Sequence, residues 1–232
     1  QISGSQKTCV KAMLELDGKG FWEGSMTFRN PFCFGRIIHH RFLTQHHGEN
    51  LMKTQIELAR DGLVTEQMKK VAKDEGYDVD FIRRKVALGE IVIPNNPLRK
   101  HQNVVGIGAG LRTKVNASIG TSSDICDVDA EVRKAIAAEE EEADTLMELS
   151  AGGDLDAVRR AVISATSLPV GNVPLYQAFS DAAKKYKNPS KLDPEYLFDL
   201  IERQLADGLS FMAIHCGINL YTIEQFIIEL LN

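Results

Sequence analysis

In the second half of the chain, four short apolar runs each close on polar, chemically capable residues and give way to a segment of helical period. They are residues 113–120 (TKVNASIG), 144–150 (DTLMELS), 169–177 (PVGNVPLYQ) and 210–218 (SFMAIHCGI). Such runs alternating with helical segments predict parallel strands joined by crossover helices, an α/β fold whose functional side chains collect at the carboxyl ends of the strands. The intervening helices are expected from Asp129, from Asp154, over residues 179–186, and from Asp193, where Pro194 in the first turn and Gly208 at the end give start and stop chemistry. Upstream, residues 52–60 predict a short helix, and Thr65 caps a second through Met68, Val71 and Ala72 that stops at Gly76. Asp80 opens a third, with Phe81, Ile82, Val86 and Ala87 on its apolar stripe and Gly89 as its stop. Residues 91–93 read as a strand that Pro94 ends.

Residues 1–51 have neither a 3.6 nor a 2 period over any length. They hold the only tryptophan, Trp22, with aromatics at Phe28, Phe32 and Phe34 and the histidine pairs His39, His40 and His46, His47. One reading makes them a leader read in frame from upstream, with the natural start at Met52, since Gly48-Glu49-Asn50 is compatible with a purine-rich ribosome-binding stretch. The chain has 232 residues, a net charge of -5 and a pI near 5.7, with interspersed charges that give no basic footprint for nucleic acid. No apolar stretch approaches the roughly 18 residues of a membrane span, and the amino terminus lacks a signal series, so a soluble cytoplasmic protein is expected. Cys9, Cys33, Cys126 and Cys216 stand far apart, which indicates neither a disulfide framework nor a metal knuckle.

The candidate site residues lie on or near the strand ends. Asn116 and Ser118 alternate with Val115 and Ala117 and so share a face, suited either to a polar ligand or to an internally satisfied polar layer. Met147, between Leu146 and Glu148, reads on pattern as core, while Glu148 should face the other side of the pleat and pair with a helix. Tyr176 closes the VPLYQ run, where a phenol can stack on a ring or stand in solvent. His215, after the apolar residues Phe211, Met212, Ala213 and Ile214, needs a partner, because an unpaired buried polar group costs about 1–3 kcal/mol. It can orient a substrate or move a proton near neutral pH.

Other features have plainer readings. The glycines of GIGAG (Gly106, Gly108, Gly110) resemble part of a dinucleotide fingerprint, but a strand rather than a helix should follow. Gly152-Gly153-Asp154 is best read as a tight strand-to-helix turn capped by Asp154. The acidic run at residues 139–142 is expected to be a solvated helix face, and Lys114 a structurally paired lysine on its strand rather than a Schiff-base former.

The segments TKVNASIGTSSDI, ADTLMELSAGGDLDAVRR, LPVGNVPLYQAF and FMAIHCGIN, in that order, resemble the first half of the barrel in the family of phosphomethylpyrimidine synthase and 5-hydroxybenzimidazole synthase, from about Met52 to Glu224. The resemblance implies a partial (β/α)8 TIM-type barrel of about four βα units. It is preceded by a helical region at 52–104 and spans 105–224, with a non-family leader at 1–51 and a divergent amphipathic tail at 225–232. It implies a radical S-adenosylmethionine lyase that rearranges 5-aminoimidazole ribotide, with the substrate bound by Asn116, Ser118, Met147, Tyr176 and His215, and a homodimer at full length. Ser118 stands where the pyrimidine synthases usually show Asn. With Glu148 in place of the usual Asp and the run HCGIN, this favours 5-hydroxybenzimidazole synthase (anaerobic cobalamin lower-ligand synthesis) over phosphomethylpyrimidine synthase (thiamine pyrimidine synthesis). The family's [4Fe–4S] cluster, S-adenosylmethionine and divalent metal such as zinc use later regions, so the resemblance implies an enzyme fragment, inactive alone and without metal ligands of its own. Against it stands a non-catalytic half-barrel that binds the ribotide or self-associates.

Overall fold

The structure, a computed structural model, describes residues 53–214 and residue 224. The chain divides into two units, Met52–Ala213 and the combination of Gln1–Leu51 with Ile214–Asn232, the second lying almost wholly outside the described residues. The leader, the tail and His215 are among the residues not described.

The larger unit opens with three helices, α1 (Gln55–Arg60), α2 (Glu66–Glu75) and α3 (Val79–Leu88). Each start has the expected chemistry. Thr54 and Glu57 form a reciprocal capping box, Thr65 accepts from the Met68 N–H, and Asp78, two residues ahead of the expected Asp80, caps α3. Gly76 and Gly89 end α2 and α3 in the left-handed conformation, which a residue without Cβ adopts freely. Met68, Val71, Ile82, Val86 and Ile91 form the core of this region. β1 (Ile91–Val92) pairs antiparallel with β2 (Ile107–Gly108), so the GIGAG run contributes a strand of its own rather than preceding one.

The second region is a four-stranded, all-parallel sheet in sequence order: β3 (Asn116–Ile119), β4 (Thr145–Glu148), β5 (Val170–Asn172) and β6 (Phe211–Met212). Helices α4 (Val128–Glu140), α5 (Leu155–Ala165), α6 (Pro174–Tyr186) and α7 (Pro194–Ala206) fill the crossovers. This is the α/β arrangement that the alternating runs predict. Asp127, Asp154 and Asp193 accept N–H groups of the first turns of α4, α5 and α7, and the acidic caps also suit the positive end of the helix dipole. One face of the sheet, with Ala117, Leu146 and Val170, packs on Ala135 of α4 and on Val158, Val162 and Ile163 of α5.

Two boundaries differ from the pattern. The strands are shorter than the apolar runs, and Lys114 lies ahead of β3. More consequentially, the run at 169–177 is not one strand: β5 ends at Asn172, and α6 starts at Pro174 and continues unbroken to Tyr186. Proline has no N–H to give a strand ladder and its fixed φ suits the first helical position, so Pro174 turns the chain into helix.

Polar contacts tie the two regions together. Lys114 forms a buried ion pair with Glu75 at 2.7 Å, and the Arg112 N–H donates to the same carboxylate at 2.8 Å. Asn96 donates through Nδ2 to the carbonyls of Leu205 (2.8 Å) and Leu209 (2.7 Å), closing α7 against the segment after β1.

Candidate functional site

Parallel pairing places Ser118, Met147, Gly171 and Phe211 in one row across the four strands, β3 to β6. Because alternate residues share a face, Asn116 and Thr145 lie on the same side as this row, opposite the face packed on α4 and α5. Asn116 and Ser118 are exposed and Met147 is buried. The Thr145 hydroxyl donates to Asn116 Oδ1 at 2.9 Å, which leaves the amide N–H groups of Asn116 for another acceptor. Phe211 lays its ring on Gly171 so closely that an added Cβ would stand 2.3 Å from a ring carbon. The face therefore combines hydrogen-bonding groups at β3, a thioether at β4 and an aromatic ring over β5, which suits a flat polar heterocycle.

Tyr176 is placed differently from the sequence reading. It sits in the first turn of α6 rather than at a strand end, exposed, and lines a small cleft with Glu148, Ser150, Asn172 and Gln177. The structure thus unites Asn116, Ser118 and Met147 on one face and puts Tyr176 beside the carboxyl ends of β4 and β5. His215 lies outside the described residues.

Behind that cleft runs a buried polar network. Arg159 of α5, almost fully buried, donates to Asp207 (2.7 Å), Asp156 (2.5 Å) and Gln177 Oε1 (2.9 Å). Gln177 Nε2 donates to Asp156 at 2.8 Å, and Gln204 Nε2 of α7 donates to Gln177 Oε1 at 3.0 Å. The residue after Tyr176 is therefore fixed from α5 and α7 at once. Burial is the largest influence on Asp156 and raises its pKa, but the hydrogen bonds from Gln177 and Arg159 and the arginine charges outweigh it and hold the carboxyl below its ordinary range.

Two acidic residues, Glu148 and Glu139, depart from the sequence reading, and a third, Asp144, anchors the chain ahead of β3. Glu148 does face away from Met147 as the pleat requires, but among the described residues it makes no ion pair; its Oε1 accepts the Ser150 N–H at 2.8 Å. Glu139 is not part of a solvated face: it accepts from the Thr166 hydroxyl at 2.6 Å, the Ser167 N–H at 3.0 Å and the Ser167 hydroxyl. It thereby pins the turn that leads into β5. Asp144 accepts from the Val115 N–H at 2.7 Å and from Arg112 at 3.1 Å. Burial raises the carboxyls of Glu139 and Asp144, yet these donors prevail and lower both. At the turn between β4 and α5, a Cβ on Gly152 would stand 2.1 Å from the Ser122 carbonyl oxygen, so a glycine is required there for packing.

Among the described residues no group of three or more His, Cys, Asp or Glu is arranged to hold a metal, and Cys126 is an exposed free cysteine. No helix among them is long and apolar enough to cross a membrane.

Comparison with known proteins gives the family. The model of the radical SAM ThiC family matches residues 54–229. The chain belongs to that family. Its matched segment continues past Glu224, where the motifs alone end the resemblance. The chain is 72% identical over 174 residues to 5-hydroxybenzimidazole synthase of Desulforapulum autotrophicum and 68% identical to that of Geobacter metallireducens, covering 75% of this chain and 40% of each relative. It is 56% identical over 172 residues to phosphomethylpyrimidine synthase 2 of Methanosarcina acetivorans, again over 40% of that protein. The chain thus spans about 40% of the length of these curated relatives. Membership of a radical SAM family implies an iron–sulfur cluster and S-adenosylmethionine. The described residues do not fit the cluster, since they offer one cysteine and no metal-holding group.

Sequence reasoning placed Gln177 near the strand-end rim, where it lines the cleft, but missed Phe211 and Asn172 as parts of the site's surroundings. Phe211 carries the one available signal, an aromatic residue aligned with a strand glycine, but the pairing of Phe211 with Gly171 appears only once register is known.

Proposed function

We propose that this chain supplies part of the substrate cradle of a 5-hydroxybenzimidazole synthase acting on 5-aminoimidazole ribotide in anaerobic cobalamin lower-ligand synthesis. The supporting observation is the row Ser118, Met147, Gly171 and Phe211 with Asn116 beside it, on the sheet face free of α4 and α5. In this reading the four parallel strands are the first half of a (β/α)8 barrel, and that face is its interior. The imidazole ring lies between the Met147 thioether and the Phe211 ring, Asn116 and Ser118 hydrogen-bond its polar substituents, and Tyr176 and His215 complete the rim. These groups bind, orient and shield the substrate, while the reaction itself, a rearrangement of carbon–carbon bonds in a lyase, draws on regions beyond those described here. Zinc, a cytoplasmic location and a full-length homodimer belong to the same proposal.

Phosphomethylpyrimidine synthesis is the second reading. The identities favour the benzimidazole branch, at 72% and 68% against 56%. A third reading keeps the cradle without turnover, as a half-barrel that binds ribotide or self-associates. Calorimetric titration of the chain with 5-aminoimidazole ribotide is expected to show saturable binding that Phe211→Ala weakens. Absence of binding by a natively folded chain contradicts the cradle. Assay of a longer protein carrying this segment is expected to yield a hydroxylated benzimidazole, and a pyrimidine phosphate instead reverses the choice of branch.

A further inference from the structure

Two buried side chains stand next to one another at the carboxyl ends of β4 and β5, and one of them, Asn172, has an acceptor without a donor among the described residues. Glu148 and Asn172 are paired in register, so their side chains share the face turned toward the helices. Each is only 5% exposed, and both line the small cleft that also holds Ser150, Tyr176 and Gln177. Asn172 Oδ1 is buried and has no hydrogen-bond donor among the described residues. Glu148 uses Oε1 for the Ser150 N–H. A neighbour that donates to Asn172 Oδ1 removes the penalty of leaving that acceptor unmade, about 1–3 kcal/mol.

We infer that Glu148 and Asn172 form a neutral carboxyl–amide clasp, in which the protonated Oε2 of Glu148 donates to Asn172 Oδ1 and locks the strand ends that carry Met147 and lead into Tyr176. The charged groups around Glu148 agree with a neutral carboxyl. From α4 it faces the charge of Glu131, also buried, whose Oε1 takes the Lys134 ammonium at 2.6 Å and whose Oε2 is without a donor among the described residues. From α5 it meets Arg159, whose guanidinium is committed to Asp156, Asp207 and Gln177. From α6 the cleft presents Tyr176 and Gln177. Burial is the largest influence and pushes the Glu148 carboxyl above its ordinary range against the Ser150 hydrogen bonds and the Arg159 charge, with Glu131 adding to the rise. Glu148 and Asn172 are thus positioning residues: neither lies in the row of the proposed cradle, and each follows a member of it, Met147 and Gly171, by one residue.

Infrared spectroscopy of the whole chain tests the clasp without any ligand. At pH 7 the wild type is expected to show the C=O band of one un-ionised carboxyl, lost in Glu148→Gln, shifted in Asn172→Ala and retained in Glu131→Gln. A natively folded chain without that band at pH 7, or a band that Asn172→Ala leaves unmoved, overturns the clasp. Its positioning role rests on the proposed ribotide cradle and has a separate readout. Glu148→Gln keeps a donor toward Asn172 and should leave ribotide affinity within about twofold, whereas Asn172→Ala, which loses roughly one hydrogen bond, should weaken it about fivefold. Equal affinities for wild type and Asn172→Ala overturn the positioning role, while a chain that binds no ribotide overturns the cradle and leaves the infrared result standing.

Discussion

Arg159 shows how a single side chain behind the candidate site governs its geometry. Its guanidinium joins Asp156, Asp207 and Gln177 while almost wholly removed from water. Replacing it with Met removes the buried guanidinium from Asp207, leaving it the more distant Arg160 at 3.8 Å, and strips Gln177 Oε1 of one donor. Arg159→Met is therefore expected to lower stability by about 3 kcal/mol, toward the lower end for a broken buried pair because Asp156 and Asp207 retain some solvent. Urea denaturation checks this, and a loss under 1 kcal/mol contradicts it. Such roles are only partly readable in a sequence. The structural pairing of Lys114 was legible because a lysine beside a strand start has few other uses, but its partner Glu75 lies 39 positions upstream and no local pattern names it. Glu139 was misread because an acidic run averages to a solvated face, whereas one member reaches across to Thr166 and Ser167.

Three helix starts were legible because the capping residues act locally: Thr65, Asp154 and Asp193 each satisfy an N–H two or three positions on, whereas Thr54, Asp78 and Asp127 cap helices whose starts the pattern put at 52, 80 and 129. Strand lengths were not, since hydrogen-bonded pairing depends on the neighbouring strand. The one error with consequences for function is the run ending in Tyr176, where apolar content suggested strand and Pro174 decided for helix. Register also creates constraints no single strand shows. Gly171 of β5 gives its space to the ring of Phe211 from β6, and Gly171→Ala forces that ring aside. The variant is expected to lose about 1–3 kcal/mol through overpacking and to bind ribotide more weakly than wild type. Denaturation and calorimetry read the two effects, and unchanged values for both show that the ring does not lie where described.

The succession of βα units predicted a parallel sheet, and the order β3, β4, β5, β6 follows the chain without a swap. The segment spans 40% of its relatives, and closure of these strands into a barrel belongs to the proposed function. Across the unit the ionisable groups pull in two directions. The carboxyls of Glu75, Glu139, Asp144 and Asp156 are held below their ordinary values, in each case by hydrogen bonds and positive charges that outweigh burial. Their stabilisation is full above the unfolded carboxylate pKa of about 4 and is lost as pH falls below it through the folded values. Glu148 runs the other way: its contribution is full below about 4.3 and declines as pH rises through its raised folded value. The urea midpoint should therefore drop between about pH 5 and pH 3 in the wild type, and Glu148→Gln should flatten the alkaline side only. The cradle itself is most directly tested by nuclear magnetic resonance of methionine methyl groups during titration with 5-aminoimidazole ribotide, the Met147 signal assigned through Met147→Leu. The Met147 methyl is expected to shift upfield under the bound ring while the Met68 methyl in the helical core stays in place. Saturable binding with an unmoved Met147 signal contradicts a ligand on this face of the sheet.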